Sequence, residues 1–268
     1  PEQPWPSLKN FRGQPGGHLR AADLPEKKQS IIHVSRETPK GEAMFIPLEK
    51  LAAYAQSFGV SLDKTALNRF DTYGRLLAEW NEKINLTAIT DPQDIVLKHF
   101  ADSLSVLKYC SIPKGSSLID VGTGAGFPGL ALLIARPDIN LTLLDSTRKK
   151  LTVIEDILKN IGLEAQLLHS RAEEAGQNKS YREKFDFATA RAVANLRELS
   201  EYCLPFVKKG GKFISMKAAK ADEEISGAKK AIALLGGKIE STKSFELFDA
   251  GERNIIIIEK VSSTNAVY

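Results

Sequence analysis

The chain has 268 residues, is 43% hydrophobic and 26% charged, and carries a formal net charge of +4. That length holds one large α/β domain plus a smaller attachment, and the composition is that of a globular chain rather than a disordered or fibrous one. No apolar run approaches the ~20 residues of a membrane span. The start of the chain does not read as a signal peptide, and Cys110 and Cys203 have no partner at metal spacing. The expectation is a cytoplasmic protein, without metal, with two reduced buried thiols.

Residues 1–43 hold six prolines and four glycines and keep no helical or strand period beyond Ile31–Val34. They read as an extension, flexible or ordered by a partner. Residues 44–112 read as a helical cap. Pro47 opens a helix to about Phe58, and Ser61 or Asp63 caps a second that runs to about Glu82. Ala66, Phe70, Tyr73 and Leu77 give the second helix one apolar face at i, i+3, i+4 spacing. Asp91-Pro92 starts a third helix, through His99 to about Tyr109, as a cap residue followed by a proline at the first helical position.

Residues 113–262 alternate strands at 117–121, 140–145, 165–169, 185–190 and 211–216 with helices at 128–136, 148–160, 195–207 and 221–235. That rhythm predicts parallel strands covered on both faces. Lys238–Phe248 and Asn254–Lys260 flank a turn at Asp249–Arg253 and read as an antiparallel hairpin, leaving 263–268 as a tail. The predicted fold is α/β, with a mostly parallel seven-stranded sheet, a C-terminal antiparallel hairpin and an N-terminal helical cap.

Leu118 to Gly129 reads Leu-Ile-Asp-Val-Gly-Thr-Gly-Ala-Gly-Phe-Pro-Gly. An apolar strand ends in a loop with Gly122, Gly124 and Gly126, and Pro128 stands where a helix should start. Such glycines let backbone N–H groups approach a ligand that a Cβ would push away. Gly124-Ala-Gly126-Phe-Pro-Gly129 formally fits the dinucleotide pattern, a weak match alone. Pro128 removes an N–H donor that pyrophosphate would use, and Asp120 sets an anion beside the loop, which suits a sulfonium or ammonium better. Asp145 ends the second strand, where an acid can accept from both ribose hydroxyls or cap the next helix. Ala172-Glu173 follows the third strand, where it can meet an adenine edge or supply the acids a helix start favours.

These blocks, with Asn85-Leu-Thr-Ala-Ile89, His99-Phe-Ala-Asp-Ser-Leu104, Asp145-Ser-Thr-Arg-Lys-Lys150, Thr189-Ala-Arg-Ala-Val-Ala194 and Gly210-Gly-Lys-Phe, stand in an order that resembles the RsmG (GidB) family, bacterial small-subunit rRNA guanine-N7 methyltransferases. The resemblance covers roughly residues 45–260. It departs from the pattern at Ala218-Ala219, where a glycine is expected after Lys217, and at residues 1–43. It implies a class I, Rossmann-like methyltransferase fold, S-adenosyl-L-methionine as cofactor, and 16S rRNA or the small ribosomal subunit as substrate. It places Gly122 and Phe127 along the cofactor path, Ala172 and Glu173 at the adenine, and Arg191 at the mouth between cofactor and substrate.

Beyond the carboxyl ends of the strands, where open α/β sheets bind ligands, the sequence sets a rim of cations. These are Lys98 on the cap, Arg148 and Lys149 after strand two, Arg191 after strand four, Arg197 on the following helix, and Lys217 and Lys220 after strand five. They are the candidate RNA-binding residues, through phosphate contacts that position without reading bases; each alone also fits a solvated charge. His99 is a substrate-positioning candidate with Arg191, or a packed histidine. Guanine N7 carries a lone pair and no proton, so the reaction asks for no general base. Alternative functions are an NAD-dependent oxidoreductase on the same sheet and a non-catalytic rRNA-binding assembly factor. The chain is expected to be a monomer.

Overall fold

The computed structural model describes residues 45–191, 194–218 and 221–268. The extension 1–43, Met44 and Lys220 therefore lie outside the described residues. Seven strands form one sheet in the order β3-β2-β1-β4-β5-β7-β6. They are β1 (Ser117–Val121), β2 (Asn140–Asp145), β3 (Gln166–His169), β4 (Phe185–Arg191), β5 (Val207–Lys217), β6 (Gly237–Glu246) and β7 (Glu252–Lys260). β1 to β5 pair in parallel, and β7 runs antiparallel between β5 and β6.

The central strands are apolar because both faces are covered. In β7, Ile255 and Ile257 face the cluster that holds Leu118 and Leu143, while Ile256 and Ile258 face the cluster that holds Ile119 and Leu144. The first cluster also contains Phe70, Tyr73 and Leu77. These belong to α2 (Lys64–Asn81), so cap and sheet share one core. The Asp63 carboxylate accepts from the Ala66 N–H and starts that helix. α1 (Leu48–Ser57) packs Leu51 and Ala55 into the same core.

The third cap helix is not the continuous α-helix expected. Asp91 caps α3 (Pro92–Asp94) with proline at the first turn, but Ile95–Ala101 is a π-helix. Two short pieces follow, α4 (Asp102–Leu104) and α5 (Val106–Tyr109). α6 (Gly129–Ala135) begins one residue late, with Pro128 at the N-cap. α7 (Arg148–Ile161) ends at Gly162 in the left-handed conformation. After α8 (Ala172–Gln177), α9 (Leu196–Cys203) stops short of the expected residue 207, because Leu204–Phe206 tightens into a 3-10 turn around Pro205. α10 (Ala221–Leu234) precedes the hairpin. Within residues 263–268, the carbonyls of Thr264, Asn265 and Tyr268 accept from Arg182. No helix among the described residues is long and apolar enough to cross a membrane.

Candidate active site

The glycine loop leaves β1 and is tied at once to β2, where the Gly122 and Thr123 N–H groups both donate to the Leu144 carbonyl. Gly122 and Gly124 have φ of 70° and 61°, a region that favours glycine. The Gly124 N–H donates to Asp145 Oδ2 at 2.9 Å, and the Thr147 N–H donates to Oδ1 at 2.8 Å. Thr147, not Asp145, occupies the N-cap position of α7. Asp145 instead clamps the glycine loop to the end of β2, and each of its oxygens keeps a further lone pair.

Asp120 does not present its charge to a ligand, contrary to the expectation from sequence. It is fully buried beneath the loop. Its Oδ2 accepts from Thr123 Oγ1 at 2.6 Å and from the Gly129 N–H at 2.9 Å, and Oδ1 has no partner. Burial pushes its carboxyl up to about 6. The approach needs a glycine at 129, because a Cβ there would stand 2.8 Å from Asp120 Cβ and Oδ2. On the cap side, the Tyr73 hydroxyl donates to the Ala125 carbonyl at 2.7 Å. A Cβ on Gly126 would come within 2.6 Å of that hydroxyl.

Above the loop opens a cavity of about 420 Å³, lined by Leu86, Thr87, His99, Gly122 to Ala125, Phe127, Asp145 to Thr147, Lys150 and Arg191. The volume is that of a small-molecule site, roughly 300–1,000 Å³. A Cβ added at Gly124 would find no atom within 4 Å except the Gly122 carbonyl oxygen, so the loop backbone is open to a ligand. Lys150 Nζ stands 4.0 Å from Asp145 Oδ2. The donor set fits an adenosine cofactor: a carboxylate with spare lone pairs for ribose hydroxyls, a bare glycine backbone and an aromatic wall. Gly122, Gly124, Phe127, Asp145 and Arg191 come together here. Ala172 and Glu173 start α8 and lie outside the lining, and Arg148 and Lys149 are exposed on the first turn of α7.

Arg191 closes one side of the cavity. Its Nη1 donates to Asp102 Oδ2 at 2.9 Å and to the Lys98 carbonyl at 3.2 Å, and its guanidinium carbon lies 4.9 Å from the centre of the Phe127 ring. Its Nη2 lies 3.1 Å from His99 Nδ1. A guanidinium only donates, so Nδ1 accepts and the imidazole proton sits on Nε2, facing Thr87 Oγ1 at 2.9 Å. Burial first, and Arg191 second, lower the His99 pKa to about 3. His99 is neutral, stacks on Phe127 at 4.4 Å between centroids, and is 8% exposed. Its geometry is that of a packed, oriented group.

Beyond Arg191 and His99 lies a second cavity of about 430 Å³, lined also by Lys98, Asp102, Ser105, Met216, Lys217, Ala218, Arg253, Asn254 and Ile255. The two cavities share the His99–Arg191 wall. Not all the predicted rim cations are displayed. Lys217 is largely buried, ion-paired to Glu224 at 2.8 Å and donating to the Ala194 carbonyl. Lys98 pairs with Asp94 across one helical turn, and Arg197 is exposed on α9. Sequence reasoning passed over Tyr73, Thr87, Asp102, Lys150 and Arg253 as site residues. Thr87 and Asp102 stood inside quoted blocks without a role. Lys150 ended a basic run whose other members face solvent.

A glycine loop after β1 is shared with dinucleotide enzymes. The reversed β7 inserted between β5 and β6 is what separates class I methyltransferases from them, and this chain has it. It is a class I methyltransferase by fold and by the placement of its site. The family model described as GidB, rRNA small subunit methyltransferase G, matches residues 66–256, and the chain belongs to that family. The ribosomal RNA small subunit methyltransferase G of Clostridium novyi (strain NT) is 44% identical over 229 residues, 85% of this chain and 93% of that protein. Its namesake from Listeria monocytogenes serotype 4b (strain CLIP80459) is 47% identical over 212 residues, 78% and 89% of the two chains. The namesake from Bacillus pumilus (strain SAFR-032) is 44% identical over 223 residues, 82% and 93%.

Proposed function

We propose that the protein transfers a methyl group from S-adenosyl-L-methionine to N7 of a guanine in 16S rRNA of the small ribosomal subunit. The observation that carries this reading is the pair of cavities meeting at one wall, His99 and Arg191, one of them floored by the glycine loop. S-adenosyl-L-methionine, when bound, supplies an electrophilic methyl on a sulfonium. The backbone of Gly122 and Gly124, the Asp145 carboxylate and the Phe127 ring are the residues to hold it. Asp145 would accept from the ribose hydroxyls with the lone pairs its two backbone bonds leave. Arg191, fixed by Asp102 and by backbone carbonyls, keeps the two cavities in register. That register would let the target atom approach the methyl to the ~3–3.5 Å that near-attack geometry requires. Guanine N7 has no proton to remove, and a neutral, buried His99 suits a site with no base to supply. No membrane partner is part of this reading.

The test is transfer of labelled methyl from S-adenosyl-L-methionine to small subunits, and separately to free 16S rRNA, from cells lacking the enzyme. Mapping the modified base follows. N7-methylguanine in the rRNA is expected; absence of cofactor binding by calorimetry, or label on another atom, defeats the reading. Asp145→Ala is expected to lose cofactor binding by at least about tenfold, since it removes the acceptor for two hydroxyls and for the Gly124 and Thr147 N–H groups.

A further inference from the structure

Asp102 joins three parts of the fold. It lies in the cap, just after the π-helix, with its side chain only 8% exposed. Oδ2 accepts from Arg191 at the end of β4 at 2.9 Å, and Oδ1 accepts from Arg253 Nε at the start of β7 at 3.2 Å. One carboxylate thus ties together two guanidinium groups that both line the second cavity, leaving a net positive charge there. Arg253 Nη1 is occupied by the carbonyls of Ala250, at 3.0 Å, and Glu252, at 2.9 Å. Arg253 Nη2 donates to nothing among the described residues, and the side chain lines the cavity. Met216 and Ile255 supply an apolar wall beside it.

We propose that the second cavity receives the target nucleotide of the RNA, that Arg253 binds its phosphodiester through Nη2, and that Asp102 is the positioning residue for both arginines. This rests on the reading above and deepens it. A base must leave its stack to reach a buried methyl donor, and apolar side chains then take its faces. An arginine fork on the O6/N7 edge is the commonest guanine contact, but here it would cover the very lone pair that must attack. A phosphate is the group that leaves N7 free. The hairpin, which closes the sheet, thereby supplies a substrate contact that neither the glycine loop nor the quoted sequence blocks contain.

The experiment compares wild type with Arg253→Ala and Asp102→Asn. It measures kcat and KM for small subunits at several salt concentrations, and the cofactor Kd by calorimetry. Arg253→Ala is expected to raise the RNA KM by about tenfold, to lower the salt slope of log KM by roughly one charge, and to leave the cofactor Kd within about twofold. Asparagine offers one acceptor oxygen instead of two, so Asp102→Asn is expected to raise KM and also to lower kcat, because Arg191 moves as well. Wild-type KM and salt slope in Arg253→Ala overturn the phosphate contact. An Asp102→Asn enzyme that matches wild type in both constants overturns the positioning role. If the alanine variant fails to fold, Arg253→Gln keeps the stem without the charge and is read in the same way. A wild-type protein that transfers no methyl defeats the underlying function instead.

Discussion

Asp120 carries an ionisable group into a fully buried position and leaves one of its oxygens without a hydrogen bond. Its folded carboxyl is pushed up to about 6 by burial, against a partial offset from Thr123 and the Gly129 N–H. A raised folded pKa on an acid means that the native state binds the proton more readily than the unfolded chain between about pH 4 and 6. Stability therefore falls as pH rises through that window and stays lower above it. Asp120→Asn keeps one oxygen for Thr123 and Gly129 and removes the charge. Relative to wild type, the variant is expected to gain about 2 kcal/mol more at pH 7.5 than at pH 4, measured by denaturant unfolding at both pH values; an equal difference at both would sink the account. The glycines around Asp120 were legible in the sequence because positive φ leaves a mark on residue type. The inward turn of Asp120 was not. It depends on a helix N-terminus nine residues later coming close enough to donate, and no local pattern encodes that approach. Arg253 was hidden for a similar reason, since its carboxylate partner lies 151 residues away.

Two elements shape the site more than their own sequences announce. The π-helix Ile95–Ala101 contains no proline or glycine and reads as ordinary amphipathic helix. Its wider turn brings the consecutive carbonyls of Lys98 and His99 to within 3.2 and 3.4 Å of Arg191 Nη1, in keeping with the frequent use of such turns at functional sites. The choice between α and π is made by the tertiary partner, so the sequence predicted only that a helix exists there. α2 was legible from its apolar period and from a cap at Ser61 or Asp63, of which the structure uses Asp63, yet its contribution to the site was not. Tyr73 stacks against Phe127 at 5.2 Å between centroids and holds the Ala125 carbonyl. Tyr73→Phe keeps the ring and leaves that buried carbonyl short of a donor, which costs about 1–3 kcal/mol. The expected outcome is a lower Tm together with weaker cofactor binding, because the loop it steadies floors the first cavity. A loss of Tm with unchanged cofactor Kd would show that the loop holds its shape without the cap.

At the scale of the whole molecule, the parallel strands and the closing hairpin followed from the alternation of periods, while the strand order and the joining of cap and sheet into one core did not, because packing between residues distant in the chain, such as Phe70 and Leu118 in one cluster, has no sequence signature. The distal end of the sheet is tied in a similar long-range way. Lys260 is fully buried, donating to the Leu204 carbonyl at 2.6 Å and to Thr264 Oγ1, with Glu183 3.5 Å away. Burial lowers its pKa to about 8. Removing residues 263–268 takes away Thr264 and three carbonyls that Arg182 holds, and is expected to lower stability by at least about 2 kcal/mol; an unchanged unfolding midpoint would show that water replaces them without cost. The central position of β1 has a further consequence, in time rather than in space. Its neighbour on one side is β4, with Leu118 paired to Phe187. At ~5–20 residues per second, the ribosome delivers that partner roughly 3–14 s after β1 itself. For that interval the cap, already synthesised, faces a strand with one edge still bare. An unpaired strand edge is open to pairing with the wrong partner, and slow codons between β1 and β4 would lengthen that exposure.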